Sequence, residues 1–380
     1  MKDIIIFGAG YKGRVLNRMI KSEEIGNSFK NYNVKYFCDN YKVSGSYVDG
    51  VKVIHPSTLD AYCNNGTRIF ISTLRIADEV ARQLLEIGIQ MDTYIVPDYL
   101  YQFKWNAKNN MPAFIKIDLT KPRMPYLECR IVMHCNLNCK GCTGFSNIHE
   151  PEVMTLESFE KYLVRLKELY WGIKYLKLFG GEPLLHPQLS EFIELARKYF
   201  PDSKLVVHSN GLLIPSTNEE VFKTMNKMDA KFVFTLYIPT GLKKRIIEDI
   251  LCKEDIEYVF REPVYEFRKV INSKGDYDPN EIYKTCSKCI NLIDGILSCG
   301  LGYIIDALEK HFNVKICEDK FQRCIDIHST ELDGWEINKI LSSSSNLCGY
   351  CALMDFRHLK DDNFYEWKCE GKPQLSDWLL

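Results

Sequence analysis

The sequence predicts an α/β protein in three parts. Short apolar runs alternate with helical patterns over the first 100 residues and again from about residue 127, which is typical of parallel sheets covered by helices. After about Asp278 the pattern becomes irregular and rich in cysteine. We therefore expect an N-terminal parallel-sheet domain at 1–110, a second βα domain at 125–275 and a small cysteine-rich module at 276–380.

In the N-terminal domain, apolar runs predict three strands and helical spacing predicts two helices. In chain order these elements are Asp3–Gly8, Tyr11–Ile20, Asn33–Cys38, Arg68–Ser72 and Ile76–Ile87. The segment Gln102–Pro125 is rich in proline and asparagine and is expected to be a connector.

The second domain repeats the strand–helix alternation four times. The predicted strands are Arg130–His134, Tyr175–Phe179, Lys204–His208 and Lys231–Leu236. The predicted helices are Thr155–Leu169, Gln188–Tyr199, Glu219–Met225 and Lys243–Leu251. Repeated βα units of this length suit a full or partial barrel, in which functional residues follow the carboxyl ends of the strands.

Composition limits the classes of function. The chain has 49 Lys and Arg against 50 Asp and Glu, and this balance argues against a nucleic-acid-binding scaffold. No run of 18 apolar residues predicts a membrane span, and the N-terminus lacks a signal-peptide pattern, so a cytoplasmic protein is expected. Thirteen of the 15 cysteines fall between Cys129 and Cys369. In a reducing compartment, clustered thiols indicate metal or iron–sulfur ligands.

The N-terminal strand runs into a glycine loop, Gly8-Ala9-Gly10-Tyr11-Lys12-Gly13. This G-x-G-x-x-G pattern between a strand and a helix is Rossmann-like and favours a phosphate at the helix N-terminus. Asp39, at the end of the second strand, stands where an acidic residue would bind ribose hydroxyls. The module resembles the nucleotide-binding half of some bacterial sugar acyltransferases. A nucleotide, a nucleotide-linked sugar or NAD is the expected ligand, and the alternative is a packing domain with an empty loop.

The strongest motif is Cys135-x3-Cys139-x2-Cys142, directly after a predicted strand. Three thiolates can ligate three irons of a [4Fe–4S] cluster and leave the fourth iron free, whereas structural zinc usually takes four ligands. On spacing alone, a zinc-knuckle fragment is the alternative.

The motif resembles that of the radical S-adenosylmethionine (radical SAM) superfamily. This resemblance implies a partial (β/α)6 barrel in which the cluster reductively cleaves S-adenosylmethionine (SAM). The product, a 5′-deoxyadenosyl radical, abstracts hydrogen from a substrate, with the electron supplied by flavodoxin or ferredoxin. Many members carry an aromatic residue before the third cysteine, where this chain has Gly141.

Two further motifs follow predicted strands in the order that the resemblance requires. Gly180-Gly181-Glu182-Pro183 corresponds to the segment that binds the amino group of SAM, and Glu182 is the expected acceptor. Ser209 and Asn210 stand where the family often places ribose-binding residues. Tyr237 is a candidate for the barrel mouth, and no acid, base or hydrogen donor is nominated.

The C-terminal module holds two C-x2-C pairs, and Cys299 is one of three cysteines between them. A resemblance to SPASM and twitch modules implies one auxiliary iron–sulfur cluster, and a structural zinc site is the alternative. The assigned ligands are Cys289, Cys299, Cys348 and Cys351, with Cys286 as the alternate. Ordinary buried thiols are expected at Cys38, Cys63, Cys129, Cys252, Cys317, Cys324 and Cys369.

These features favour a radical SAM enzyme acting on a small molecule, with a nucleotide-linked sugar or another carbohydrate of glycan biosynthesis as the expected substrate. The substrate class rests on the N-terminal module alone. Peptide or protein modification is the runner-up. An NAD-dependent oxidoreductase and a non-catalytic zinc-binding protein are more distant alternatives.

Overall fold

The computed structural model describes residues 1–22, 31–63, 66–89, 91–101, 112–287, 290–353 and 363–380. The chain divides into two compact units. The first comprises Met1–Arg123, Leu169–Gly172 and Phe200–Asp202, and the second comprises Met124–Glu168, Ile173–Tyr199 and Ser203–Leu380.

The described residues form the following regular elements. The helices are α1 (Tyr11–Lys21), α2 (Ala77–Glu86), α3 (Leu156–Leu169), α4 (Leu189–Tyr199), α5 (Glu219–Lys227), α6 (Ile238–Lys253), α7 (Pro279–Thr285), α8 (Gly300–Phe312) and α9 (Gly334–Leu341). The strands are β1 (Lys2–Phe7), β2 (Tyr32–Cys38), β3 (Tyr47–Val48), β4 (Val51–Ile54), β5 (Arg68–Ile71), β6 (Thr93–Ile95), β7 (Ile115–Ile117), β8 (Arg123–Met124), β9 (Leu127–Val132), β10 (Gly172–Ile173), β11 (Tyr175–Gly180), β12 (Lys204–Ser209), β13 (Lys231–Tyr237), β14 (Tyr258–Val264), β15 (Glu266–Arg268), β16 (Ile290–Ile293), β17 (Ile296–Cys299), β18 (Ile325–Asp326) and β19 (Phe364–Glu366).

A seven-stranded sheet organises the first unit, in the order β3-β4-β2-β1-β5-β6-β7. Its centre is parallel, with β1 between β2 and β5. Ile4 and Ile6 of β1 enter one apolar cluster, whereas Ile5 and Phe7 enter another. The strand is therefore covered on both faces, which explains why its sequence is continuously apolar instead of alternating.

The second unit is built on an open eight-stranded sheet, in the order β14-β13-β12-β11-β9-β16-β17-β18. The six strands from β14 to β16 in this order run parallel. On β9, Leu127, Cys129 and Ile131 are completely buried. Glu128 and Arg130 alternate with them and line a cavity on the opposite face. One face of this sheet is therefore apolar, and the other carries polar groups toward a binding space.

The segment Gln102–Pro125, predicted to be a connector, contains β7 and β8 in its described part, and β7 pairs with β6. The predicted strands and helices agree with the structure to within a few residues, with two larger differences. The strand predicted at Arg130–His134 ends at Val132, which places the cysteine motif in a loop. The helix predicted from Lys243 begins at Ile238, where Pro239 occupies the first turn. Proline is well tolerated there because the N–H groups of a first turn have no partner within the helix.

The domain boundary predicted near residue 276 falls inside the second compact unit. The hairpin β16–β17 continues the large sheet, since Asn291 and Leu292 pair with Glu128 and Cys129 of β9. Sequence patterns show where a segment changes in composition. They do not show which strand a new strand pairs with, because that partner lies far away in the chain. The partial-barrel description of this unit remains a prediction.

Among the described helices, none has both the length and the hydrophobicity needed to cross a lipid bilayer.

We predict that Gly13→Ala destabilises the first unit much more than Gly10→Ala. A Cβ at Gly13 would collide with the carbonyl oxygen of Gly8, whereas a Cβ at Gly10 would meet nothing within 4 Å. Such overpacking costs about 1–3 kcal/mol. Thermal unfolding followed by circular dichroism tests this, and equal melting temperatures for the two variants would contradict it.

Candidate radical SAM active site

The three cysteines of the motif lie in the loop that leaves the carboxyl end of β9. Cys135, Cys139 and Cys142 all line one cavity of about 440 Å³. Gly180, Gly181, Ser209 and Asn210 line the same cavity from the ends of β11 and β12. The structure thus brings together residues that are up to 75 positions apart in the chain, because parallel strands present their carboxyl ends at one edge of a sheet.

Among the thiols of this loop, Cys139 is buried, Cys135 and Cys142 are half-buried, and two of the three receive N–H donors. The amide of Leu137 donates to Sγ of Cys135 at 3.4 Å, and the indole of Trp367 donates to Sγ of Cys139 at 3.3 Å. Burial raises the pKa of Cys135 to about 12 and also raises that of Cys139. N–H groups that donate to sulfur stabilise the ionised thiolate form. Because burial makes that negative charge costly, a thiolate at these positions needs a cation beside it. The donor set therefore fits an iron–sulfur cluster, whose irons supply that charge.

Glu182 forms the centre of a second buried network. Its carboxylate accepts hydrogen bonds from the Ser209 hydroxyl at 2.7 Å, the Asn210 amide at 2.8 Å and the Leu184 amide at 3.0 Å. Burial raises the pKa of Glu182 to about 7, although all three donors oppose that shift. Three residues expected to contact SAM are therefore in direct contact with one another.

Asn210 connects this network to the cysteine loop. Its side-chain amide donates to Oδ1 of Asn136 at 2.7 Å and approaches Sγ of Cys135 at 3.6 Å. Asn136 lies within the motif, but its link to Asn210 has no signal in the local sequence.

The two glycines of the Gly-Gly-Glu-Pro segment have a packing role. A Cβ on Gly180 would collide with the carbonyl oxygen of Val132, and one on Gly181 would collide with that of His134. Gly181 and Glu182 donate backbone hydrogen bonds to these same carbonyls, at 2.9 and 3.0 Å. The absence of side chains lets β11 press against the end of β9, and this contact places Glu182 beneath the cysteine loop.

Some of the C-terminal cysteines also reach this cavity. Cys286, Cys299 and Cys351 line it. Burial, followed by the charges of Cys286 and Cys348 among smaller effects, raises the pKa of Cys299 to about 11. The alternate ligand Cys286 therefore belongs to this group, and Cys289 lies outside the described residues.

The ligands of a single metal ion must all lie close enough to bind the same atom. Among the described residues, no three His, Cys, Asp or Glu side chains are close enough together to hold one ion. Cluster ligands need not converge in this way, because each thiolate binds a different iron.

The remaining cysteines are less uniform than predicted. Cys38, Cys129 and Cys317 are buried thiols, as expected, and Cys63, Cys324 and Cys369 are half-buried. Cys252 is exposed instead of buried, because it lies near the end of α6 at the surface.

In the first unit, the glycine loop precedes α1 as predicted. Gly8 has a φ of +98°, which favours glycine. The carboxylate of Asp39 accepts hydrogen bonds from the backbone amides of Ala9, Tyr41 and Lys42 at 2.8 to 3.0 Å. Asp39 therefore braces the glycine loop. Its proposed contact with a ribose, like the nucleotide site at Gly8, Gly10 and Gly13, remains a prediction.

The aromatic side chains beside the cysteine loop are absent from the sequence-based prediction. Trp367 and Tyr365 come from the C-terminal segment, more than 220 residues after the motif. Trp367 stacks on Tyr237, with ring centroids 5.3 Å apart and an interplanar angle of 20°. Tyr237 itself lines the cavity, as predicted.

Comparison with known families matches two segments of the chain. Residues 130–302 match the radical SAM superfamily, and residues 1–95 match a family described as C2185-like, N-terminal. Members of the radical SAM superfamily use a [4Fe–4S] cluster and SAM.

Similar proteins include GTP 3′,8-cyclases. That of Sulfurimonas denitrificans is 31% identical over 99 residues, and that of a Sulfurovum species is 30% identical over 97 residues. Each alignment covers 25% of this chain and 30% of the relative, so the chain matches less than a third of the length of these relatives.

Among solved structures, BtrN in complex with AdoMet and 2-DOIA is 19% identical, with a TM-score of 0.40 over 65% of this chain and 99% of BtrN. SuiB of Streptococcus suis bound to S-adenosylmethionine is 15% identical, with a TM-score of 0.31 over 37% of this chain and 34% of SuiB.

We predict that protonated Glu182 contributes to the unfolding free energy of the cofactor-free protein and that this contribution is lost as the pH rises. The raised pKa of Glu182 means that the folded state keeps a proton that the unfolded state releases between about pH 4.5 and 7. This contribution is complete below pH 4.5, disappears as the pH passes through 7, and amounts to about 3 kcal/mol.

Urea unfolding of the wild type and of Glu182→Gln between pH 5 and 8 measures it. The difference in unfolding free energy between the two proteins isolates Glu182, because other titrating groups are shared. Parallel pH profiles would contradict the prediction.

Proposed function

We propose that this chain holds a [4Fe–4S] cluster at Cys135, Cys139 and Cys142 and acts on a small molecule, since residues 130–302 match the radical SAM superfamily. The observation that carries the proposal is the meeting of these thiols with the Glu182–Ser209–Asn210 network at one cavity. When bound, the cluster and SAM supply the reductive cleavage that generates a 5′-deoxyadenosyl radical.

Glu182 is the proposed acceptor for the amino group of SAM. Its carboxylate is fully buried and is already oriented by three donors. An ammonium group brought to this position would favour the ionised carboxylate, which burial alone disfavours. Ser209 and Asn210 would then act in two ways, by holding Glu182 and by offering polar groups to the ribose.

The charges of the cavity favour an anionic substrate. Its described charged lining consists of Arg130, Lys177, Arg261 and one carboxylate, Glu128. Lys177 and Glu128 neutralise each other at 2.7 Å. Arg130 is 5% exposed and forms no ion pair within the described part of the chain. Burial lowers its pKa to about 10, so it stays charged at neutral pH.

Arg130 is placed to present that charge to the cavity. Its guanidinium lies between the rings of Phe145 and Phe179, 4.3 and 4.7 Å from their centroids, and donates to the Gly144 carbonyl at 2.9 Å. Its Nε has no hydrogen-bond partner. The charges of Cys142 and Glu128 offset part of the cost of burying this cation, and a substrate phosphate or carboxylate would compensate the rest. The diphosphate of a nucleotide-linked sugar meets this requirement.

We also propose one auxiliary iron–sulfur cluster in the C-terminal part of the second unit. Cys299, Cys348 and Cys351 are the proposed ligands, and Cys286 or Cys289 completes the set. Because Cys286, Cys299 and Cys351 line the same cavity as the cysteine motif, the substrate would lie between the two metal centres.

We predict that Cys135→Ala, Cys139→Ala and Cys142→Ala each abolish the dithionite-dependent formation of 5′-deoxyadenosine from SAM. Each change removes one of the three proposed cluster ligands. After anaerobic purification, the wild type should contain about eight irons per chain. Cys299→Ala should keep about half of them and still cleave SAM.

Cys252→Ala, which changes an exposed thiol, is the matched control and should leave both iron content and cleavage unchanged. Persistent cleavage in any variant of the cysteine motif would refute the assignment. Zinc in place of iron in the wild type would favour a structural zinc protein.

We predict that deuterium from a labelled nucleotide-linked sugar appears in 5′-deoxyadenosine, and that the same sugar without phosphate transfers little label. Arg261→Gln should raise the KM for the nucleotide-linked sugar about tenfold, because one charge-assisted contact is lost. Arg245→Gln, which changes an exposed arginine outside the cavity, is the control. Transfer from a peptide and not from any sugar would favour the peptide-modifying alternative.

A further inference from the structure

The C-terminal residues 363–380 form a strap over the cysteine loop. β19 pairs with β15 in antiparallel register, which fixes the start of this strap. After β19, the carbonyl of Lys368 accepts a hydrogen bond from the backbone amide of Lys140 at 2.9 Å. The indole of Trp378 donates to the carbonyl of Cys142 at 3.0 Å. The strap therefore holds the backbone of the loop at two positions.

One residue of the strap contacts a cluster-ligand sulfur directly. The indole nitrogen of Trp367 lies 3.3 Å from Sγ of Cys139, and Trp367 is 6% exposed. Its ring stacks on Tyr237, and its backbone amide donates to the carbonyl of Tyr265 at 2.8 Å. With ring and backbone both held, the N–H group has a fixed direction toward the sulfur.

Tyr365 explains why the residue before the third cysteine is glycine. A Cβ on Gly141 would collide with the hydroxyl of Tyr365, and the φ of Gly141 is +62°. The same hydroxyl donates to the carbonyl of Asp377 at 2.9 Å. Aromatic side chains of the strap thus fill the space around the loop that a larger residue at position 141 would occupy.

We infer that Trp367 is a positioning residue that sets the reduction potential of the cluster held by Cys135, Cys139 and Cys142. This inference rests on the proposed function. An N–H group that donates to a ligand sulfur stabilises the reduced cluster more than the oxidised one, because reduction adds negative charge to the acceptor. Burial strengthens the effect by excluding water from the sulfur. Trp367 therefore makes the cluster easier to reduce.

Redox titration followed by electron paramagnetic resonance (EPR) tests this in the intact enzyme. The signal that changes on addition of SAM identifies the relevant cluster. In Trp367→Phe, which keeps the aromatic ring but loses the donor, the ratio of reduced to oxidised cluster at a fixed potential should fall about threefold to tenfold. Trp335→Phe changes an exposed tryptophan of α9 outside the strap, and it should leave this ratio unchanged.

A second measurement uses the wild type alone, so it does not depend on whether a variant retains its cluster. Wild-type enzyme labelled with ¹⁵N in its tryptophan indoles should show a ¹⁵N coupling to the reduced cluster in pulsed EPR. An unchanged ratio in Trp367→Phe, an equal fall in Trp335→Phe, or an absent coupling would each overturn this inference while leaving the proposed function intact. A wild type that forms no reducible cluster would overturn both.

Discussion

The close contact between the ends of β9 and β11 is the constraint on which the site depends. Gly180 and Gly181 leave no side chain between these strands. The backbone amides of Gly181 and Glu182 donate to the carbonyls of Val132 and His134. Glu182 follows at once and is buried where it meets Ser209 and Asn210. A larger residue at either glycine would separate the strands and move the carboxylate away from the cysteine loop.

The cavity brings two kinds of polar group together. Around the cysteine loop, burial disfavours thiolates, and N–H groups of Leu137 and Trp367 donate to the sulfurs of Cys135 and Cys139. On the sheet face, Arg130 lies beside the ion pair of Lys177 and Glu128 and donates to the Gly144 carbonyl. The charge of Cys142 stabilises the guanidinium of Arg130. The cationic group of the sheet is therefore coupled to the cysteine loop.

The C-terminal segment completes the site from a long distance in sequence. Trp367 and Trp378 each donate to a residue of the cysteine loop, and the hairpin β16–β17 extends the sheet beside β9. The region that the sequence presents as a separate cysteine-rich module is therefore part of the same packing unit as the βα series. Cys299 lines the cavity because the sheet continues into the hairpin that carries it.

Local patterns were sufficient for much of this protein. Apolar periodicity identified β1, β11, β12 and β13 nearly to the residue, and the cysteine spacing indicated where a cluster would lie. Patterns of this kind depend on neighbours within one turn or one strand, which a sequence displays directly. Only the tertiary structure decided the stacking of Trp367 on Tyr237, the position of Arg130 between two phenylalanine rings and the continuation of the sheet into β16. Each depends on contacts between distant segments, and such contacts arise only when the whole sheet has assembled.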